Sequence, residues 1–92
     1  MIAAVLETVL SEQEWIELPG VKVVDLRKRD KPSAGASEAV ERLRRALEKG
    51  VAAHPDPRRA NFYEASIDGF RYYFHVAPRR PATVFLLGRW RE

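Results

Sequence analysis

The chain has 92 residues, 46% of them hydrophobic, with no cysteine and a formal net charge of +3. That length builds one modest core rather than two, and the lack of cysteine excludes disulfide stapling and thiolate zinc sites, which fits a reducing compartment. The start, MIAAVLETVL, lacks the basic segment of a signal peptide, and the apolar runs fall short of the ~20 residues of a membrane helix, so a cytoplasmic location is expected.

In chain order, Ile2, Val5, Leu6, Val9 and Leu10 recur at helical spacing. Ser11 and Glu14 have the spacing of a capping box, so a further short helix is expected from Glu12, carrying Trp15, Ile16 and Leu18 and broken by Pro19-Gly20. Val and Thr among the first residues leave an edge strand as the alternative for residues 2–18. VKVVDL (21–26) is rich in β-branched residues and predicts a strand. RKRDK (27–31), either a phosphate contact or a solvated loop, leads into the flexible PSAGAS connector. Ser37 is placed to cap a helix from Glu38 to about Lys49, with Val40, Leu43, Leu47 and Val51 on one face and Gly50 as its stop. Val51-Ala52-Ala53 could extend that helix by a turn, and His54-Pro-Asp-Pro predicts a stiff connector.

Asn61 to Ala77, NFYEASIDGFRYYFHVA, is the strongest signal in the chain. Asp68-Gly69 between alternating apolar runs predicts a β-hairpin with a two-residue type I′ turn. The implied register faces Ile67 with Phe70, Ala65 with Tyr72 and Tyr63 with Phe74 on the apolar side. On the other side Ser66 faces Arg71, Glu64 faces Tyr73 and Phe62 faces His75. ATVFLLG (82–88), apolar on both faces, predicts a last strand with neighbours on both sides. The expected fold class is α+β: a helix packed on a three- to four-stranded, mostly antiparallel sheet ending in a β-meander, with an N-terminal helical segment, all in one domain.

Charge is uneven. Residues 1–20 hold Glu7, Glu12, Glu14 and Glu17 and no basic residue, whereas residues 58–92 hold Arg58, Arg59, Arg71, Arg79, Arg80, Arg89 and Arg91 against Glu64, Asp68 and Glu92. A basic C-terminal half suits an anionic partner such as nucleic acid, and equally a soluble arginine-rich surface. No metal site is expected, since His54 with Asp56, or His75 with Glu64, offers two ligands at most. No cofactor motif is present: Gly35 stands outside any glycine-rich phosphate loop. The outward hairpin face collects Phe62, Glu64, Ser66, Arg71, Tyr73 and His75, flanked by Arg79, Arg80 and Arg89. Aromatic rings for stacking bases beside guanidinium groups for phosphates suit single-stranded RNA. The competing reading packs Phe62 and Tyr73 under the N-terminal helix and leaves His75 an ordinary surface histidine.

From Glu41 to Trp90 the chain resembles the C-terminal part of the RelE/ParE/HigB toxin superfamily of toxin–antitoxin systems. The resemblance lies in a helix ending in LEKG, the HPDPRR loop, FYEASIDGFRYYFHV and a final TVFLLGRW strand. It implies a small basic protein acting on RNA or the translation machinery, an mRNA endoribonuclease working without metal, and an acidic antitoxin as partner. Carried over, Arg71 and Tyr73 would hold phosphate and attacking hydroxyl, His75 would donate a proton, and Arg89 would clamp charge. Arg58, Arg59, Phe62, Arg79 and Arg80 would bind the nucleic acid. The chain departs from the family pattern at Ala65 and Ser66, where an arginine is usual, and at Arg89-Trp90-Arg91, where lysines are common. The alternative is a non-catalytic protein-interaction module, including a homodimer, that uses a strand edge or the Trp15 and Trp90 surfaces. The residues leave open whether the chain is an enzyme.

Overall fold

The computed structural model describes residues 12–27 and 37–92. In chain order these form β1 (Glu14–Ile16), β2 (Lys22–Asp25), α1 (Glu38–Lys49), β3 (Val51–Pro55), β4 (Phe62–Ile67), β5 (Phe70–Ala77) and β6 (Thr83–Arg91). The six strands make one sheet in the order β1-β3-β4-β5-β6-β2. All neighbours are antiparallel except β2 and β6, which run parallel with Val23 beside Val84 and Val24 beside Phe85.

The fold-class expectation is therefore corrected. The sheet is six-stranded and mixed, mostly β with one short helix, and not a helix on three or four largely antiparallel strands. Two of the extra strands come from segments expected to be helix or connector. Residues 14–16 extend along β3, where pairing buries Ile16 in the core, because a helix stopped at Pro19-Gly20 would be too short to hold itself. Residues 51–55 form β3 because Gly50, at φ 98°, turns the chain out of α1 before Val51. Pro55 is tolerated at the strand's last position, past the residues that pair with β1. The helical stripe from Ile2 to Leu10, the cap at Ser11, and residues 28–36 lie outside the described residues.

The hairpin pairs in the expected register, from Phe62 with His75 to Ile67 with Phe70. Asp68 and Gly69 sit at φ 52° and 84°, the two positive angles a type I′ turn requires. In α1 the Ser37 hydroxyl accepts from the Val40 amide at 3.2 Å, and the Gly50 amide returns to the Ala46 carbonyl at 2.8 Å. The helix lays Ala39, Val40, Leu43 and Leu47 onto one face of the sheet. That face supplies Ala53, Ala65, Ile67, Tyr72, Phe74, Val84 and Leu86 to the core. Fully burying an aliphatic side chain of this size contributes about 1.5–3 kcal/mol. Because side chains alternate along a strand, the core set dictates a second set on the opposite face.

Candidate nucleic-acid interface

That second face carries His54 from β3, Phe62, Glu64 and Ser66 from β4, Arg71, Tyr73 and His75 from β5, and Phe85 from β6. Its rings form a row. The His75 ring stacks on Phe62 at 4.3 Å and on Phe85 at 6.2 Å, and Phe62 stacks on Tyr73 at 5.9 Å. The Arg59 guanidinium caps the row, 5.3 Å from the Phe62 centroid. All four rings are half-buried.

The protons on this face are committed. The His75 Nδ1 lies 3.1 Å from the Asn61 carbonyl, and a carbonyl only accepts, so Nδ1 carries the hydrogen and Nε2 is the nitrogen left for other work. The Tyr73 hydroxyl donates to Asp56 Oδ2 at 2.6 Å, while Asp56 Oδ1 accepts from the Arg58 amide at 2.9 Å. These bonds, together with the nearby Arg59 and Arg58 charges, hold the Asp56 carboxyl below its ordinary range. The bond to Asp56 and partial burial push the Tyr73 hydroxyl above its own. Tyr73 is thereby a positioned donor and a poor source of phenolate.

Arg71 divides its guanidinium between two carboxylates, Glu64 at 2.9 Å and Glu92 at 3.2 Å. Ser66 donates to the same Glu92 oxygen at 2.8 Å. Beside Tyr73 a shallow cleft of about 320 Å³ is lined by His54, Pro55, Asp56, Pro57 and Glu64. The His54 Nδ1 donates to the Glu12 carbonyl at 3.0 Å, and its Nε2 accepts from the Gln13 amide at 3.1 Å. Among the described residues no three His, Asp or Glu side chains converge closely enough to hold a metal ion.

The structure thus gathers Arg59, Phe62, Arg71, Tyr73 and His75 on one face, but it does not gather Arg89 with them. Tyr72 points into the core and pairs with Arg89, so Arg89 lies on the helix side. There its Nη1 donates to both Glu38 oxygens at 2.9 Å, and its guanidinium sits 4.2 Å from the Phe70 centroid. The cause is a β-bulge. Tyr73 pairs with Gly88 but Phe74 pairs with Leu86, so Leu87 is extra and the alternation of β6 inverts beyond it. Without the bulge, the register of Phe74 with Leu86 would continue and set Arg89 opposite Arg71, on the open face. Gly88 was the available signal, since a glycine inside a strand often marks a bulge.

Arg58 serves the site through its backbone amide. Arg79 and Arg80 are exposed in the loop after β5, beyond the His75 end of the row. Sequence reasoning passed over Phe85, hidden in a uniformly apolar run, and Glu92. It weighed His54 and Asp56 only as metal ligands.

No family model, characterised protein or solved structure matches the chain. A row of half-buried rings with a guanidinium at its head is suited to flat, electron-rich groups. A transition state that accumulates negative charge needs uncommitted cations, and neither Arg71, between two carboxylates, nor Arg89, on the far face, supplies one.

Proposed function

We propose that this is a small cytoplasmic RNA-binding protein whose open sheet face takes a single strand by stacking its bases on the Phe62–His75–Phe85 row. The observation that carries the reading is that row, capped by Arg59. Bases stack on such rings with little regard to sequence, each contributing about 1–3 kcal/mol. The resemblance to the RelE/ParE/HigB toxins adds the target class: RNA or the translation machinery, with an acidic antitoxin as the natural partner for the basic half. The support is for binding rather than cleavage, because Arg71 and Tyr73 are engaged and Arg89 is on the other face, which leaves His75 Nε2 without a partner group to complete the catalysis.

Fluorescence anisotropy with a labelled single-stranded oligoribonucleotide tests this. Phe62→Ala should weaken binding by at least about fivefold, the low end of one lost stacking contact. Affinity should fall as salt rises, because phosphate contacts release counterions. Unchanged affinity in a folded Phe62→Ala protein, or no binding by the wild type, overturns the reading. Overexpression that leaves bacterial growth and mRNA intact removes the toxin component and leaves the binding.

A second reading rests on a different observation: Trp15 is 65% exposed and Trp90 47% exposed. Large indoles on the surface suit a protein partner or a second copy. A dimer in light scattering, together with no salt-sensitive RNA binding, would favour this interaction module over the first reading.

A further inference from the structure

Ser66, Arg71 and Glu92 meet at the turn end of the open face. A single oxygen of Glu92, Oε2, accepts from Ser66 Oγ at 2.8 Å and from Arg71 Nη2 at 3.2 Å. A hydroxyl and a guanidinium converging on one anionic oxygen is the donor set that also binds a phosphate oxygen. The other arm of Arg71 is fixed by Glu64 Oε1 at 2.9 Å, which aims the Nη2 side at this position. The two carboxylates are held differently. Glu64 lies inside β4, whereas Glu92 follows β6 and is tied by one backbone bond, its amide to the Gly69 carbonyl at 3.0 Å. The Arg71 and Glu92 side chains are 42% and 37% exposed, so water and solutes reach the pair. An ion pair this exposed is worth little net free energy and is readily exchanged for another anion.

We propose that Ser66 and Arg71 form an oxyanion subsite for a backbone phosphate of the bound strand, and that Glu92 fills it in the free protein as a built-in competitor. The inference rests on the RNA-binding reading and extends it, naming the contact that holds the backbone and the residue that regulates access. Along β5, Arg71 is two residues from Tyr73 and four from His75, or about 7 and 14 Å at the ordinary strand rise. A strand stacked on Phe62 and His75 therefore has backbone within reach of the subsite.

The test compares wild type with Glu92→Gln, which keeps the shape and removes the charge, alone and combined with Arg71→Gln. Glu92→Gln should tighten binding of the labelled oligoribonucleotide about two- to fivefold at low salt, the scale of one exposed ion pair. It should also steepen the slope of log affinity against log salt by about 0.7, one added phosphate contact on a single strand. Adding Arg71→Gln should cancel both gains. In parallel, inorganic phosphate is titrated while the Arg71 Nε–H resonance is followed. Saturable shifts in Glu92→Gln, weaker in the wild type, are expected. If Glu92→Gln binds RNA no more tightly while Phe62→Ala still weakens binding, the subsite falls and the stacking face stands. If phosphate titrates the subsite but no RNA binds, the stacking face falls and the oxyanion site stands. Failure of both arms overturns both.

Discussion

Asp56 and Tyr73 hold one another through a hydrogen bond of 2.6 Å, and its effect on the two protons has opposite signs. The bond to Tyr73 keeps the Asp56 carboxyl below its ordinary range, so its contribution to stability is present above about pH 3.9 and is lost as pH falls through the lowered folded value. The same bond pushes the Tyr73 hydroxyl up, so that contribution is present below about pH 10 and is lost as pH rises through the raised folded value. Asp56→Asn removes both. In urea unfolding, the stability gap between wild type and Asp56→Asn should stay constant through neutral pH and close at both extremes. Ultraviolet titration should show one phenolate forming at lower pH in the variant. A gap that persists unchanged into acid would mean that the bond does not depend on the carboxylate charge. At this scale the sequence showed which residue types share a face, since alternation on either side of Asp68-Gly69 settles that. It did not show what each side chain is bound to. The resemblance assigns Tyr73, with Arg71, to hold phosphate and attacking hydroxyl, yet its hydroxyl is bound to Asp56, in a loop 17 positions away.

Among the elements, the junction of α1 and β3 decides how much of the chain is sheet. Gly50 stops the helix at φ 98°, a conformation that costs a residue with a Cβ about 1–3 kcal/mol. The Trp15 indole from β1 also lies directly over the position a Cβ would take. Gly50→Ala therefore meets two obstacles, one in its own backbone and one in the strand across from it. The variant should lose about that much stability, and β1 should come away from β3. In a Trp90→Phe background, Trp15 emission reports the change. Wild-type emission in a fully folded Gly50→Ala protein would mean that β1 does not depend on this contact. The same junction explains why the hairpin was legible and β1 and β3 were not. The hairpin is specified by neighbours in sequence: a turn that needs two positive φ angles and flanks that alternate. Ile16 pairs instead with Val51, and Trp15 with Ala52, across a gap spanning β2 and the helix. Three residues hold too little pattern to reveal such a partner. The bulge at Leu87 belongs to the same class. It changes the face of Arg89 without changing any propensity.

Taken whole, the molecule is a sheet whose most secure strand is β5, one of the two central ones. β5 pairs along its length with β4 and with β6, and it places Tyr72 and Phe74, both fully buried, beneath the helix side. Moving outwards, β1 pairs through three residues only, and β2 through four in the parallel arrangement, which is slightly weaker per residue. The parallel pairing of β2 with β6 joins segments about sixty positions apart, and no local pattern announces it. Local opening follows buried contact and paired length, so exchange of backbone amides should grade across the sheet. The paired amides of β5 should exchange slowest, near the rate set by global unfolding, and those of β1 with their β3 partners fastest. The grading bears on function because the ring row rests on β4, β5 and β6, the strands expected to open last. A stacking face on that foundation is already in its binding shape, so little ordering free energy is lost when a strand arrives. Adding the oligoribonucleotide should therefore leave β5 exchange nearly unchanged and slow exchange mainly in the Asp56–Asn61 turn, which carries Arg58 and Arg59. Uniform protection from β1 to β2 would contradict the graded sheet, and a large gain within β5 would mean that the face is assembled by its ligand.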